Sequence, residues 1–474
     1  MKKYENLYIN GQWIQATGDN FTSVINPATE EVIATTHNAS EDDVTMAIAS
    51  AKEAFKTWSQ TSSEERAKYI KALAEKLAEK QNEMGVLISS EQGIPEPFAI
   101  QIQAGGPILG MSSFIERTKI MDETEVIGHS TVYKEPIGVC GLINPWNYPL
   151  HQLVGKVAPA LAAGCTMVVK PSQEAPLNAY LFAELVDEIG LPAGVFNLVA
   201  GQGRTVGNML SSHPDIDMVS FTGSNGAGAS VSLAAAPTIK RVCLELGGKS
   251  ANIITPTAPL QEAVTAGVTS VMFNCGQTCI ATTRMLIQQD QYEEAVAIAK
   301  AVAESLPVGD PTNHENFMGP MCSEAQKNTV LDYINKGIDE GARLVTGGVE
   351  MPEGLNKGFY VKPTIFADVT NDMVIAQEEI FGPVLCIIPY TDIDNAIEIA
   401  NDSDFGLSGG VWAGDNEEAT NIARRIRTGH ININGGQHNY EAPFGGYKQS
   451  GNGREWGDEG LSEFIEIKSI QSPA

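Results

Sequence analysis

Two stretches in the first hundred residues place apolar side chains at helical spacing. The first runs from Ser40 to about Trp58, and Ser40 followed by Asp43 resembles a capping box. The second follows Ser62 and Glu65, which form another cap signature. Its apolar face contains Tyr69, Ile70, Leu73 and Leu77. Both stretches are predicted to be amphipathic helices.

From about residue 136 the pattern changes to short apolar runs that alternate with helical stretches. The runs predicted to be strands are 138–143, 165–170, 195–200, 218–223 and 241–246. Helices are predicted between them. The first ends near residue 163, and the others cover about 177–189, 204–211 and 226–236. This alternation is typical of an α/β fold, in which helices cover both faces of a parallel sheet.

Polar residues and glycines follow several of these strands. Ligands of such folds bind beyond the carboxyl ends of the strands, so these residues are candidates for a site. A glycine-rich turn that leads into a helix offers N–H groups to a phosphate, and a nearby lysine can hold a ribose or phosphate. The candidates are Asn144, Trp146, Asn147, Lys170, Ser172, Gly223, Ser224, Gly228 and Glu245.

The segment GQGRTVG (201–207) resembles a dinucleotide-binding fingerprint, but its last spacing is one residue too long. No acidic residue about twenty positions later obviously ends a strand. An ordinary turn from a loop into a helix is therefore favoured over direct contact with a cofactor.

Cys275 and Cys279, in FNCGQTC (273–279), allow several interpretations. Structural zinc usually needs two cysteine pairs, and neither the other five cysteines nor the scattered histidines supply the second, so no metal is predicted. A disulfide would be transient in a reducing cytosol, and two buried small thiols are the simplest alternative.

The surroundings of Cys279 favour a reactive thiol. A helix is predicted over 260–275, Gly276 is a natural stop, and 282–288 is predicted to be the next strand. Cys279 would lie in the short connection, with Cys275 at the end of the helix. A nucleophilic thiol needs a lowered pKa or a nearby base, and Glu245 is a candidate for activating water.

The composition narrows the class of protein. A chain of 474 residues is expected to form two or three domains, and its net charge of −27 makes nucleic acid and anionic membranes poor partners. The N-terminal stretch has no apolar core of a signal peptide, and no apolar run is long enough to span a bilayer. With seven scattered cysteines, a cytoplasmic protein with reduced thiols is predicted.

Seven motifs, in order and at characteristic spacings, resemble the aldehyde dehydrogenase superfamily. They are PWNYP (145–149), KPS (170–172), FTGS (221–224), LELGGKS (244–250), GQTC (276–279), EEIFGPV (378–384) and PFGGYKQSGNGRE (443–455). YINGQW near the N-terminus and YVKPTIF (360–366) also fit, so the resemblance covers essentially the whole chain.

The resemblance implies a Rossmann-like cofactor domain, a related α/β catalytic domain and a small β oligomerisation flap. Their expected extents are 1–116 with 136–246, 247–445, and 117–135 with 446–474. The segments 128–136 and 462–470 alternate apolar and polar residues and are predicted to be half-buried strands. In the family such strands pair between subunits, so a homodimer or homotetramer is expected.

The resemblance also implies roles in NAD(P)-dependent oxidation of an aldehyde. Cys279 would be the nucleophile, Asn147 would donate to the oxyanion, and Glu245 would activate the water that hydrolyses the thioester. Lys156 and Glu455 match positions of a proton relay. Alternatively, Lys156 is a solvated helix lysine and Glu455 pairs with its neighbour Arg454.

Further positions match contacts of NAD. Lys170 would bind the adenosine ribose, Ser224 with its neighbouring backbone the pyrophosphate, and Glu379 the nicotinamide ribose. Phe381 would pack near the nicotinamide. The other expected cofactor contacts are Ser172, Gly223 and Gly228. Trp146 would line the cofactor site or the substrate tunnel, although a core tryptophan is equally consistent. Gln173 stands where many members have an acidic residue that repels a 2′-phosphate, so NAD is expected first and NADP use is possible.

Alternative functions are a CoA-acylating relative and a catalytically silent member that serves as a binding or structural protein. The first class usually lacks a carboxylate at the position of Glu245, and a silent member would have lost Cys279, Asn147 or Glu245. A reversible disulfide between Cys275 and Cys279 is a further hypothesis. The identity of the aldehyde is not indicated by the sequence.

Overall fold

The computed structural model describes residues 2–473. Its strands are β1 (Lys2–Tyr4), β2 (Asn6–Ile9), β3 (Gln12–Gln15), β4 (Phe21–Asn26), β5 (Glu31–His37), β6 (Glu125–Ile127), β7 (Ser130–Pro136), β8 (Val139–Ile143), β9 (Thr166–Lys170), β10 (Phe196–Leu198), β11 (Met218–Thr222), β12 (Arg241–Glu245), β13 (Ala251–Ile254), β14 (Arg284–Gln288), β15 (Arg343–Thr346), β16 (Thr364–Ala367), β17 (Val384–Tyr390), β18 (Phe405–Gly406), β19 (Gly409–Trp412), β20 (Asn432–Ile433), β21 (Tyr447–Lys448), β22 (Gly451–Asn452) and β23 (Ile465–Gln471).

The α-helices are α1 (Glu41–Trp58), α2 (Ser63–Glu79), α3 (Gln81–Gln92), α4 (Glu96–Phe98), α5 (Gly105–Arg117), α6 (Pro149–Ala163), α7 (Leu177–Glu188), α8 (Asn208–Ser212), α9 (Asn225–Ala235), α10 (Leu260–Met272), α11 (Tyr292–Ser305), α12 (Glu324–Asp339), α13 (Val374–Gln377), α14 (Ile393–Asn401), α15 (Asn416–Ala423) and α16 (Gly457–Ser462). Short π-helical segments cover Ala99–Ala104 and Gly203–Gly207. Short 3-10 segments cover Thr118–Asp122, Ala236–Thr238, Phe273–Gly276 and Gln289–Gln291.

The first large sheet has the order β22-β12-β11-β8-β9-β10-β2-β3. Its five central strands are the five predicted from the sequence, and they pair in parallel. Strands β2 and β22 join the two sides in antiparallel orientation. The predicted parallel sheet and the α/β class are therefore confirmed.

The second large sheet has the order β15-β16-β17-β14-β13-β19-β20. All neighbours in it are parallel except β15, which pairs antiparallel with β16. Each large sheet belongs to its own hydrophobic core. The first core also takes in C-terminal side chains, including Phe444, Trp456 and Leu461.

The predicted N-terminal helices are present as α1 and α2. Ser40 and Asp43 form a complete capping box at α1, and the Ser62 side chain accepts a hydrogen bond from the Glu65 N–H at α2. Strands β1 to β5 precede these helices and were not predicted as strands from the apolar pattern. They form a sheet of order β1-β5-β4 and the β2-β3 edge described above.

A small antiparallel sheet of order β23-β7-β6 joins the two segments predicted to be strands near the flap. The β7-β23 ladder runs from Ile465 opposite Pro136 to Gln471 opposite Ser130. Strand β7 is largely half-buried, whereas β23 is exposed beyond Ile465. The two segments therefore pair with each other, whereas β22, from the segment 446–474 expected in the same element, pairs with β12 in the first large sheet.

No helix among residues 2–473 combines the length and the apolar character needed to cross a membrane.

Candidate active site

The carboxyl ends of β8, β11 and β12 border one cavity of about 280 Å³, together with α12 and the loops that carry Cys279 and residues 379–381. Eight of the site residues predicted from the sequence line this cavity: Trp146, Asn147, Gly223, Ser224, Glu245, Cys279, Glu379 and Phe381. They come from segments up to 235 positions apart (381 − 146), and the adjacency of β8, β11 and β12 brings the first five of them together. The structure therefore assembles most of the predicted site.

A turn of left-handed residues precedes Cys279 and sets the direction of the loop that carries it. Helix α10 ends at Met272 rather than at the predicted residue 275, because Asn274 and Cys275 have φ values of 51° and 55°. Gly276 follows with φ 69°, and a Cβ there would lie 2.0 Å from the carbonyl oxygen of Gly382. Three consecutive left-handed residues reverse the chain before the nucleophile, a conformation that costs energy for non-glycine residues.

Cys275 faces away from solvent and belongs to the second core. Its Sγ lies 3.0 Å from the carbonyl oxygen of Gly319, to which the thiol donates a hydrogen bond. Burial, the main cause, raises the pKa of this thiol to about 12. A disulfide with Cys279 would require breaking the contact with Gly319, so the geometry counts against that hypothesis.

Cys279 is partly exposed and lines the cavity. Burial raises the pKa of its thiol, and the negative charges of Glu379, Glu245 and Glu455 raise it further. The thiol is therefore protonated at neutral pH in this state, and its attack on an electrophile requires a proton acceptor.

The Asn147 side chain is held beside the nucleophile loop by buried amides. Its Nδ2 donates to the carbonyl oxygen of Gln277 at 3.1 Å. The backbone carbonyl oxygen of Asn147 accepts from Gln103 Nε2 at 3.2 Å and from Asn274 Nδ2 at 3.1 Å. Asn274 in turn accepts from Gln92 at 2.9 Å. This network fixes the backbone of Asn147, whose side-chain amide is the candidate oxyanion donor, and sequence motifs gave no signal for Gln92 or Gln103.

Glu245 ends β12 and is 5% exposed. Burial, followed by the nearby charge of Glu455, raises the pKa of this carboxyl well above its usual range. Its Oε2 is buried without a hydrogen-bond partner. A Cβ on Gly445 would lie 2.8 Å from Glu245 Oε1, so the glycine lets the backbone of the C-terminal segment approach the carboxyl.

Lys156 and Glu455 form a buried ion pair behind the cavity. Lys156 Nζ lies 2.6 Å from Glu455 Oε1 and 2.6 Å from Thr222 Oγ1. The side chains are 0% and 7% exposed. Arg454 instead donates to the carbonyl oxygens of Gly446 and Gly453. The alternatives of a solvated Lys156 and of a pair between Glu455 and Arg454 therefore do not hold.

Phe381 and Trp146 form an aromatic wall of the cavity. Their ring centroids are 5.4 Å apart and the rings are nearly perpendicular, at 87°. Phe381 has φ 55°, and Gln326 Nε2 donates to the carbonyl oxygens of Ile380 and Phe381. Gln326 therefore stabilises a strained turn that orients the aromatic ring, a role that no sequence motif indicated.

Glu379 reaches the glycine turn after β12. Its Oε1 accepts from the Gly248 N–H at 2.9 Å, and a Cβ on Gly247 would lie 2.2 Å from its Oε2. Burial, partly offset by that hydrogen bond and by Lys249, raises the pKa of the Glu379 carboxyl to about 7. Gly247 is therefore needed for the close approach of this carboxylate.

The remaining predicted cofactor residues lie outside the cavity lining. Lys170 is 4% exposed, its Nζ donates to the Pro171 carbonyl oxygen at 2.7 Å, and burial lowers its pKa to about 8. Ser172 and Gln173 are partly exposed beyond the end of β9. Gly228 lies inside α9 where a Cβ would meet Leu246 at 2.7 Å, so it serves close packing.

Ser224 is the N-cap of α9, and no side-chain cap bond is formed there. The first N–H groups of this helix have no intrahelical acceptor, which makes the helix start suited to a phosphate. The segment 201–207, which resembles a dinucleotide-binding fingerprint, contains the π-helical turn before α8. It borders a different cavity, of about 270 Å³, through Gln202, Thr205 and Val206.

These features define a class of α/β enzyme with a nucleophilic thiol, an oxyanion donor and a carboxylate beside a dinucleotide-type site. Residues 13–470 match the aldehyde dehydrogenase family. The chain therefore belongs to the aldehyde dehydrogenase family, as the sequence motifs predicted.

Relatives match along nearly their full lengths. A 3-succinoylsemialdehyde-pyridine dehydrogenase from Pseudomonas sp is 48% identical over 474 residues, 99% of each chain. A mutant of aldehyde dehydrogenase C from Pseudomonas syringae, solved with NAD+ and octanal, is 46% identical with a TM-score of 0.96, covering 99% of this chain and 97% of that one. The Mycobacterium tuberculosis aldehyde dehydrogenase with NAD+ is 44% identical with a TM-score of 0.97, covering 100% and 99%.

Proposed function

We propose that this protein oxidises an aldehyde to a carboxylic acid, with NAD as the hydride acceptor and Cys279 as the nucleophile. The observation that carries the proposal is the single cavity shared by the Cys279 thiol, the Asn147 amide and the Glu245 carboxyl. Thiol, oxyanion donor and base are the groups that acyl transfer from a covalent intermediate requires.

Attack by Cys279 forms a bond from its sulfur to the aldehyde carbon and places negative charge on the carbonyl oxygen. The Asn147 Nδ2 and the Cys279 backbone N–H are the donors for that oxygen, and each such donor typically contributes about 3–4 kcal/mol in the transition state. Because burial and three carboxyls keep the thiol protonated, the partly exposed Cys279 releases its proton to solvent as it attacks, and the attack is therefore faster at higher pH.

The residues fit a nicotinamide dinucleotide. The start of α9 with Ser224 suits the pyrophosphate, Lys170 and Ser172 the adenosine ribose, and Glu379 and Phe381 the nicotinamide riboside. A nicotinamide held there would supply the hydride acceptor that the conversion of the Cys279 thiohemiacetal into a thioester requires. The aromatic wall of Trp146 and Phe381 would pack beside the nicotinamide.

Hydrolysis completes the cycle. Glu245 in its carboxylate form removes a proton from water, the hydroxide adds to the thioester, and the carbon–sulfur bond breaks to return the Cys279 thiolate. We assign the buried pair Lys156 and Glu455 to proton transfer from Glu245, because Glu455 Oε2, like Glu245 Oε2, is buried and unpartnered.

A CoA-acylating function and a silent role have less support. Glu245 provides a base that activates water, which a CoA-acylating enzyme does not need. A silent member would have lost part of the site, but the cavity retains Cys279 and Asn147. We also propose that the protein can use NADP. Gln173 is partly exposed beyond β9 and carries no charge to repel a 2′-phosphate, while its neighbour Glu174 is exposed.

We further propose a homodimer or homotetramer that assembles through the β23-β7-β6 sheet. Apolar side chains on it are exposed in the single chain: Val126 by 71%, Ile127 by 58% and Ile467 by 63%. Such an edge pairs readily with another strand. The seven free thiols support a cytoplasmic location.

The test is formation of reduced nicotinamide, followed by absorbance, from a panel of aldehydes with NAD or NADP and without CoA. Turnover with stoichiometric carboxylic acid is the expected result. Turnover that depends on added CoA would favour the acylating alternative, and cofactor binding without any turnover would favour the silent one.

A further inference from the structure

A cluster of aromatic rings contacts the nucleophile loop outside the cavity described above. We define the ring cluster as Tyr148, His151, His430, His438 and Tyr440. None of these residues lines the 280 Å³ cavity described above. The ring cluster is therefore a surface separate from the proposed cofactor site.

The ring cluster begins at the residue before the nucleophile. Tyr148 Oη lies 2.9 Å from Thr278 Oγ1. The Tyr148 and His151 ring centroids are 6.4 Å apart, and those of His151 and His438 are 6.0 Å apart. Tyr440 packs on His438 with its ring centroid at 4.7 Å and the rings perpendicular, at 88°. A continuous band of rings thus leads away from Cys279.

The ring cluster carries no charge at ordinary pH. Burial, with contributions from His438 and Lys156, lowers the pKa of His151 to about 3. Burial and the neighbouring His430 lower the pKa of His438 to about 4. Burial likewise raises the pKa of the Tyr148 and Tyr440 hydroxyls. The imidazoles are neutral and the phenols protonated, so the cluster offers hydrogen bonds without charge.

His438 is the member with unused hydrogen-bonding capacity. Both its Nδ1 and its Nε2 are buried and lack a partner in the described chain. By contrast, His430 Nε2 is 2.9 Å from Asn432 Oδ1. A buried polar atom without a hydrogen bond is costly, and a ligand group that supplies the bond removes that cost.

An apolar groove of about 930 Å³ lies beside the loop that carries His438. Phe98, Phe273 and Phe317 contribute aromatic walls, with ring centroids 5.3 to 6.3 Å apart. Gln437 also lines the groove and directly precedes His438, while Phe273 opens the turn that leads to Cys279. Residues of the groove are therefore adjacent in the chain both to the ring cluster and to the nucleophile loop.

We propose that the substrate is an uncharged aldehyde with a hydrogen-bonding group beyond its carbonyl, and that His438 selects it. This inference rests on the proposed function and names its substrate class. An anionic substrate is disfavoured because the ring cluster holds no cation, whereas Glu245, Glu379 and Glu455 lie near Cys279. A plain alkyl or aryl aldehyde would leave the His438 nitrogens unpaired.

The test compares kcat/KM with NAD for benzaldehydes that differ only at the meta position. 3-Methoxybenzaldehyde and 3-ethylbenzaldehyde have nearly the same shape, and only the first carries an acceptor. 3-Formylbenzoate and 3-formylphenyl-trimethylammonium add the two charges. Hexanal and 3-ethoxypropanal form a second matched pair of smaller size. The variants are His438→Phe, which keeps a ring, and His438→Gln, which keeps hydrogen-bonding groups.

In the wild type the acceptor-bearing member of a pair is expected to be favoured roughly 2- to 10-fold, the range for one hydrogen bond. His438→Phe is expected to bring that ratio to about one, and His438→Gln to retain part of it. A wild-type ratio near one, a ratio unchanged in His438→Phe, preference for a charged analogue, or no turnover of either pair would overturn the inference. Absence of turnover with every aldehyde, including unsubstituted benzaldehyde, would instead overturn the proposed function.

Discussion

The buried pair between Lys156 and Glu455 allows a prediction with two independent readouts. The perturbations are Glu455→Gln, Lys156→Met and the double variant. Both single variants leave one buried group without its charged partner, whereas the double variant leaves neither charge. Glu53→Gln is the matched control, because Glu53 pairs with Lys56 at 2.5 Å while their side chains are 75% and 66% exposed.

The exposures of 0% and 7% place the pair among buried salt bridges. Removing one partner from such a pair typically costs about 3–5 kcal/mol of the free energy of unfolding. In Glu455→Gln the Thr222 hydroxyl and the new amide oxygen still accept from Lys156, so we expect about 3 kcal/mol. The double variant should lose much less than the sum of the single losses, and Glu53→Gln about 0.5 kcal/mol or less.

The second readout is the pH dependence of the hydrolytic step. The charge of Glu455 is, after burial, a cause of the raised pKa of Glu245. Glu245 acts as a base only when deprotonated, so the rate rises as pH rises through that pKa. Removing the charge in Glu455→Gln lowers the Glu245 pKa, and the rise of kcat should therefore move to lower pH.

Urea denaturation at one protein concentration measures the stabilities, because assembly of subunits would otherwise shift the apparent values. Profiles of kcat against pH, measured on folded protein, give the second readout. Single variants that lose less than about 1 kcal/mol would refute the buried charge pair. If the single variants lose the expected stability but the profile of kcat against pH does not shift, the pair has only a structural role. That result would refute the assignment to proton transfer.

Three further changes test other parts of the site. Asn147→Ala should lower kcat about 10²- to 10³-fold with little change in NAD affinity, because an oxyanion donor acts mainly in the transition state, and steady-state kinetics with a binding titration checks this. Alkylation of Cys279 by iodoacetamide should be slow at neutral pH and accelerate as pH rises, since burial and nearby carboxyls raise the thiol pKa; a fast reaction independent of pH would contradict that electrostatic account. Gln173→Glu should raise the preference for NAD over NADP by weakening NADP binding, and equal kcat/KM ratios in both proteins would show that residue 173 does not face the 2′ position.

The alternation of strands and helices was predictable because buried parallel strands are continuous apolar runs. The five runs between residues 138 and 246 correspond to β8 to β12. Their spatial order, with β8 between β11 and β9, depends on tertiary packing and could not be read from the runs themselves. Strands β1 to β5 were not predicted because β1 to β3 are short and because β4 and β5 mix polar and apolar residues.

Motifs predicted most residues around the cavity, and the structure added those that orient them. Gln103, Asn274 and Gln326 act through hydrogen bonds to backbone carbonyls, and a lone amide in sequence does not indicate such a partner. The left-handed Asn274 and Cys275 likewise look like helix residues by their pattern. Backbone strain and contacts 299 positions apart, such as Lys156 with Glu455, become visible only in three dimensions.

The central claim is that a thioester on Cys279 is hydrolysed with Glu245 as the base. The most direct measurement is rapid mixing of Glu245→Gln with aldehyde and NAD, an acid quench, and mass spectrometry of the peptide containing Cys279. The account predicts a burst of about one reduced nicotinamide per active site, slow turnover, and an adduct on Cys279 with the mass of the aldehyde less two hydrogens. Wild-type turnover by this variant, or an adduct absent from Cys279 despite the burst, would contradict it.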